Sequence, residues 1–245
     1  MSNPFAGILY FLQGLKLIFR SELRIYVVIP LLINVSLFAG LIWFGASQFE
    51  AFMGWLMPEI PGWLQFLEWL FWALFSISAL LIFFFTFTIV ANLIGAPFNG
   101  LLAEAVEYHL TGQRLDSAGG WKKMLAELAP TMFDEVKKML YMIAWSIPFL
   151  VLFLIPVINI IAPFTWLAFS AWILAVEYAD YPMGNHGLRS TEQKRRLGDK
   201  RILSMGFGGA VTVATMTPIL NFLVMPAAVA GATAMWVKQF KDITH

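Results

Sequence analysis

Charged residues cut this chain into apolar runs of two kinds. Residues 25–49 and 69–96 contain no Asp, Glu, Lys or Arg. The first would rise about 37 Å as a helix, against a hydrocarbon core of about 30 Å. Both predict full transmembrane helices, the first slightly long and tilted or bent, with Pro30 as the place for a bend. The second closes at Asn92, Gly95 and Pro97. Residues 139–176 and 202–237 are equally free of charge but are interrupted in the middle. One interruption reads Ile155-Pro156-Val157-Ile158-Asn159-Ile160-Ile161-Ala162-Pro163. The other reads Thr217-Pro218-Ile219-Leu220-Asn221-Phe222-Leu223-Val224-Met225-Pro226. Both contain Pro-x-x-Asn followed by a second proline.

Between these runs the pattern is amphipathic. Within residues 1–24, Phe5, Ile8, Leu9, Leu12, Leu15 and Phe19 recur at spacings of three and four, with Gln13, Lys16 and Arg20 on the other side. The segment is either an amphipathic helix in the membrane interface or an ordinary helix packed on the rest of the chain. Apolar residues precede the basic ones here, the reverse of a cleavable signal peptide, so none is expected. Residues 98–138 place Glu104, Glu107 and His109 on a helical pattern up to Gly112, then Lys122, Lys123, Lys137 and Lys138. They predict amphipathic cytoplasmic helices.

Composition agrees with a membrane protein: 60% of residues are hydrophobic and 13% charged, where a soluble domain carries roughly 25% charged. The net charge of +1 is uninformative, but its distribution is not. None of the 16 Lys and Arg falls within residues 25–68. The positive-inside rule puts residues 1–24 in the cytoplasm, the connection at 50–68 outside, and residues 98–138 back inside. A single crossing by residues 139–176 would export Arg189, Lys194, Arg195, Arg196, Lys200 and Arg201, so that run enters and returns on one side.

Residues 139–155 rise about 26 Å and 164–176 about 20 Å as helices; residues 202–217 give about 24 Å and 227–237 about 17 Å. The return arms fall short of the roughly 30 Å hydrocarbon core. The fold expected is one all-α integral membrane domain over residues 1–245. It has two full transmembrane helices, two half-inserted helical hairpins at 139–176 and 202–237, and amphipathic cytoplasmic helices, with both termini cytoplasmic. Irregular backbone at depth survives only when buried in protein or lining a wet cavity. Asn159 and Asn221 therefore either cap the turns or mark a solute path, as broken helices do in repeat-built transporters. Two spans and two half-hairpins make a thin wall, which predicts a homo-oligomer that buries the hairpin tips.

Few residues carry chemistry. The three His (109, 186, 245) lack metal-ligand spacing and there is no phosphate-cradling glycine loop, so neither enzyme activity, cofactor nor metal is expected. Nucleic-acid binding has only the short Lys194-Arg195-Arg196 run behind it, whose alternatives are topogenic charge, attraction of an anionic solute and lipid headgroups. Ser21-Glu22-Leu23-Arg24 stands before the first span and offers a helix start with Ser21 as cap, suited to an oxyanion. The alternative is that Arg20 and Arg24 snorkel at the interface. Asn92, Asn99 and Arg114, with Asn159 and Asn221, are candidates to line a path; Glu104, Glu107 and His109 form either a vestibule or an ion-paired helix face.

Several stretches resemble the CysZ sulfate permeases of bacteria. They are Phe11-Leu12-x-Gly14-Leu15, Leu23-Arg24-x-x-Val27-x-Ile29-Pro30-Leu31 and Asn92-x-x-x-x-Pro97-Phe98-Asn99, then Glu177-Tyr178-x-Asp180-Tyr181-Pro182-x-x-Asn185-His186, and finally Pro226-x-Ala228-Val229-x-Gly231-Ala232-Thr233-x-Met235-Trp236. The resemblance covers nearly the whole chain. It implies a multi-pass bacterial inner-membrane protein that supplies sulfate for cysteine synthesis and assembles as an oligomer, with sulfite as a second candidate solute and membrane lipids as neighbours. It also implies an anion site at a Gly-Leu-Arg motif before the first span. Here Glu22, Leu23 and Arg24 stand at that place: the arginine is retained, the glycine is not, and Glu22 sets a like charge near a bound sulfate. The competing class is a membrane scaffold that transports nothing.

Overall fold

The structure, a computed structural model, describes residues 3–56, 68–114 and 140–241. All regular secondary structure among the described residues is helical. The helices are α1 (Pro4–Leu17), α2 (Ile25–Leu56), α3 (Glu68–Thr111), α4 (Leu140–Leu154), α5 (Ala162–Asn185), α6 (Ser190–Asp199), α7 (Arg201–Thr215) and α8 (Pro218–Gln239). The chain divides into two compact units, Tyr26–Phe98 on one side and Met1–Ile25 with Asn99–His245 on the other.

The first unit contains most of α2 and the apolar part of α3. Ile25–Trp43 is long and apolar enough to cross a membrane, and none of it is buried by protein. Leu32, Val35 and Trp43 lie on its open surface, where only lipid or another chain can shield them from water. Pro30 sits inside α2 without ending it. The stop expected at Ala96–Pro97 does not occur, because α3 continues unbroken through both residues to Thr111. Prolines are tolerated in membrane helices because leaving the helix would strand backbone groups away from water. Residues 57–67 of the connection expected outside, and the lysine-rich stretch 115–139 of the segment expected to form amphipathic helices, lie outside the described residues.

The second unit is built on α1, α5, α7 and α8, with α1 and α5 each packed against both α7 and α8. Glycine makes this closeness possible. A Cβ on Gly14 of α1 would overlap the Ala227 carbonyl oxygen of α8; one on Gly7 would strike the backbone of α7 at Leu203 and Phe207; one on Gly208 would strike the Ala171 carbonyl of α5. Small residues let helix backbones approach without help from the hydrophobic effect, which lipid cancels. Phe207, Met235 and Trp236 fill the centre.

Helix α1 takes the second alternative left open for it, a helix packed on the rest of the chain. It buries Gly7, Tyr10, Phe11, Gly14 and Leu17 against the unit. The stripe of Phe5, Ile8, Leu9, Leu12 and Phe19 faces outward instead. The helix packs through Gly7 and Gly14 with Tyr10, Phe11 and Leu17 beside them, and offers a second apolar stripe to the surroundings.

The two interruptions are not equivalent, which corrects the arm lengths. The first spans Ile155 to Ile161 and contains a single 3₁₀ turn at Ile158–Ile160, after which α5 starts with Pro163 in its first turn. Helix α5 then continues past Val176, through Glu177 and Asp180, to Asn185; charge marks where it leaves the apolar layer and not where it ends. The second interruption is only Met216 and Thr217. Pro218 opens α8, while Asn221 and Pro226 lie within it. At 24 and 22 residues, α5 and α8 rise about 36 Å and 33 Å. Neither is short.

Candidate functional site

The turn between α1 and α2 is held by its own backbone. Arg20 N–H donates to the Leu17 carbonyl, and the N–H groups of Leu23 and Arg24 both donate to the Arg20 carbonyl, at 2.9–3.0 Å. Leu23 is 1% exposed and plugs the turn into the second unit. Arg20, Ser21, Glu22 and Arg24 are left outside. An apolar anchor thus sets two guanidiniums at the surface on either side of it. Leu23 itself cannot face an anion with its side chain, and its N–H is already spent. Helix α2 begins at Ile25, so the position before the helix is Arg24 and Ser21 is not its cap.

Glu22, the acidic residue in this turn, is paired: its Oε2 lies 2.9 Å from His109 Nδ1 at the end of α3. Among the described residues, no carboxylate stands against Arg24. The like charge that Glu22 brings to the turn is therefore aimed at an imidazole.

The polar residues beyond the turn separate into buried and open groups. Asn99 is buried and donates through Nδ2 to the Tyr181 hydroxyl and Met225 Sδ, each at 3.3 Å, which places it as a joint between α3, α5 and α8. Asn159 is exposed in the first interruption and Asn221 is exposed in the first turn of α8. Their backbone N–H groups bond to the Ile155 and Thr217 carbonyls, each at 2.9 Å, and no side-chain hydrogen bond occupies their amides among the described residues. Arg114 packs over the Tyr108 ring at 5.4 Å and does not reach the glutamates of α3. The side chain of Asn92 lies outside the described residues.

A buried ionic centre was not legible in the sequence. Glu107 is 1% exposed and accepts from His186 Nε2 at 2.9 Å and Lys241 Nζ at 3.0 Å. Burial alone would push its carboxyl upward, but the hydrogen bonds and charges of His186 and Lys241 outweigh that and hold it below the usual carboxylate range. Residues 107, 186 and 241 meet only because α3, the end of α5 and the chain just past α8 converge. A lone glutamate between apolar Val106 and Tyr108 was the single local hint. Asn185 adds a bond from Nδ2 to the Gly100 carbonyl at 2.9 Å, so the Glu177–His186 stretch docks α5 on α3.

The basic run on α6 does not form one patch. Arg195 bonds Glu192 at 2.7–2.8 Å, and Arg196 turns inward to Glu192 and over Trp236. The two guanidiniums hold the Glu192 carboxyl down at about 2. Lys194 goes a third way, with Nζ 3.7 Å from the centre of the Tyr141 ring.

A family model described as "Sulfate transporter CysZ/Etoposide-induced protein 2.4" matches residues 10–226. A protein of Pseudomonas aeruginosa named "Sulfate transporter CysZ" is 44% identical over 234 residues, 96% of this chain and 95% of its own length. A protein of the same name from Pseudomonas fluorescens is 44% identical over 96% of this chain and 94% of its own length. One from Pseudomonas syringae pv. tomato is 45% identical over 94% of this chain and 91% of its own length. With apolar, protein-free surface on Ile25–Trp43 and end-to-end similarity to these relatives, the chain is a helical membrane protein and belongs to the CysZ family.

Proposed function

We infer that this chain is a sulfate permease of the bacterial inner membrane, supplying sulfate for cysteine biosynthesis by a passive or ion-coupled route. The observation that carries this is its 44% identity, over nearly its whole length, to proteins named for sulfate transport. The turn before α2 supports it. Arg24 and Arg20 stand exposed on a turn anchored by Leu23, and a dianion is best recruited by guanidinium donors in a fixed place. Glu22 is turned toward His109, which lessens its repulsion of sulfate.

In this reading both termini are cytoplasmic, α2 and the first part of α3 cross the bilayer, and the α4–α5 and α7–α8 hairpins enter from the cytoplasmic face and turn within it. Their exposed tips, with the open amides of Asn159 and Asn221, meet other subunits of a homo-oligomer around the solute path. Sulfite, of similar charge and shape, competes for the same route.

Radiolabelled sulfate uptake into vesicles holding only this protein tests the function, and uptake no greater than in empty vesicles would sink it. Arg24→Ala should weaken sulfate binding by about tenfold. Unchanged binding in that variant removes the site but not the function.

A further inference from the structure

We propose that the corner where α6 closes over the end of α5 and Trp236 of α8 is a buried water-binding site, built by Gln193, Arg196 and Trp236. The inference stands on contacts within the second unit alone, apart from sulfate and from the way the chain meets a bilayer.

Two of the three residues that α6 buries are polar: Gln193 is 2% exposed and Arg196 8%, with Leu197 beside them. Their hydrogen bonds use them only in part. Gln193 Nε2 donates to Asp180 Oδ1 at 2.7 Å and to the Leu188 carbonyl at 2.8 Å. Those two acceptors fix which end of the amide is nitrogen, and they leave Oε1 buried without a partner. Arg196 Nε donates to Glu192 Oε1 at 2.7 Å, while its buried Nη1 has no acceptor. The Arg196 guanidinium carbon lies 5.8 Å from the centre of the Trp236 ring, and the buried Trp236 indole N–H is likewise unmatched. Ser190 Oγ, one turn before Gln193, is in the same position. Side chains one turn apart on a helix are neighbours, so these groups crowd one corner. A buried polar atom without a partner is costly and rare in folded proteins.

The mixture of donors and acceptors names the guest. Arg196 and Trp236 can only donate, and Gln193 Oε1 can only accept. An anion would take the two donors but would meet the amide oxygen. It would also face Glu192 on the same guanidinium, and Glu107 behind His186, whose ring lies 5.1 Å from that of Trp236. A metal cation would suit the amide oxygen and be repelled by the guanidinium. Water accepts and donates at once, and buried waters make about three hydrogen bonds to groups of this kind. Held there, it carries hydrogen bonding between α6 and α8.

X-ray radiolysis of the purified full chain in detergent, read by mass spectrometry of its peptides, tests the site, because radicals formed from a bound water oxidise the side chain it touches. Corrected for intrinsic reactivity, Trp236 should be oxidised severalfold faster than Phe207, which is equally shut off from solvent. After mixing into water carrying heavy oxygen, the label should reach Trp236 later than the exposed Tyr108. Arg196→Met removes one donor and should slow Trp236 oxidation severalfold, whereas millimolar sulfate should leave it unchanged. Trp236 as inert as Phe207 in the intact chain overturns the proposal, and that result needs no variant. Protection of Trp236 by sulfate overturns it too, by putting an anion in the corner. So does heavy oxygen arriving at Trp236 and Tyr108 together, which would mean open exchange with bulk solvent.

Discussion

The α7–α8 hairpin is buried along much of its length, whereas none of the described residues of α4 in the other hairpin is buried. Both runs lack charge and carry the same proline–asparagine signature, so the difference comes from side-chain size. Gly206, Gly208, Ala210 and the series Ala227, Ala228, Ala230, Gly231, Ala232 and Ala234 give α7 and α8 smooth faces. Backbones of α1 and α5 fit directly against them. Helix α4 offers Leu140, Ile143, Trp145, Ile147 and Leu150 instead, all exposed. Where the surrounding medium is as apolar as leucine, large side chains gain nothing by turning inward, and small ones decide which helices pack. Helix α4 is periphery, while α5, the other arm of its hairpin, joins α7 and α8 in the core.

Packing density gives the sharpest way to break this comparison. Gly208→Val should destabilise the chain by about 3 kcal/mol or more, because its side chain meets the Ala171 backbone, which cannot yield as a flexible side chain would. Leu150→Ala on α4 should shift stability by no more than about 0.5 kcal/mol. Thermal unfolding in detergent compares them, and equal losses would mean that the two hairpins are equally packed.

Glu107 tests what the hairpins share, since His186 ends one and Lys241 follows the other. Glu107→Ala leaves two partners without their carboxylate and should cost about 3 kcal/mol. Its carboxyl titrates below the ordinary 4.5 in the folded chain. The stabilisation is therefore complete above that value and is lost as pH falls through the lower, folded one. Unfolding midpoints measured from neutral to acid pH should fall more steeply for the intact chain than for the variant; parallel curves would remove the assignment.

The smallest effect lies at the turns. Val157 holds φ at +71°, a region that a β-branched residue rarely adopts, whereas Thr217 in the second turn sits at −98°. Val157→Gly should raise stability by about 1 kcal/mol, strain relieved less the added freedom of the unfolded chain. Thr217→Gly should lower it slightly. A melting temperature that falls in both would show that the first turn stores no strain.

Much of the helical architecture could be read from charge and periodicity, including the apolar span starting at Ile25 and interruptions near Pro156 and Pro218. What escaped has physical causes. Pro97 predicts a stop and Pro226 the far edge of an interruption, but both lie within helices, since a membrane helix tolerates proline where neighbouring groups re-satisfy the carbonyl it frees. Charge at Glu177 ends the apolar run but not the helix, which continues to Asn185. The outward stripe on α1 was visible, yet the face that packs is chosen by Gly7 and Gly14, set among Tyr10, Phe11 and Leu17, because they let the backbones of α7 and α8 approach. At the candidate site, Arg24 and Glu22 were legible from a short motif. Their surroundings were not, since His109 reaches Glu22 from 87 positions away.

One carboxylate gripping the ends of two hairpins also has a mechanical meaning. A displacement that draws His186 away from Glu107 leaves a buried negative charge resting on Lys241 alone, and the reverse holds if the chain beyond α8 pulls free. Either half-released state is costly in a dry setting. The roots of the α4–α5 and α7–α8 hairpins are accordingly held through one carboxylate, so whatever loosens one of them at its root weakens the hold on the other.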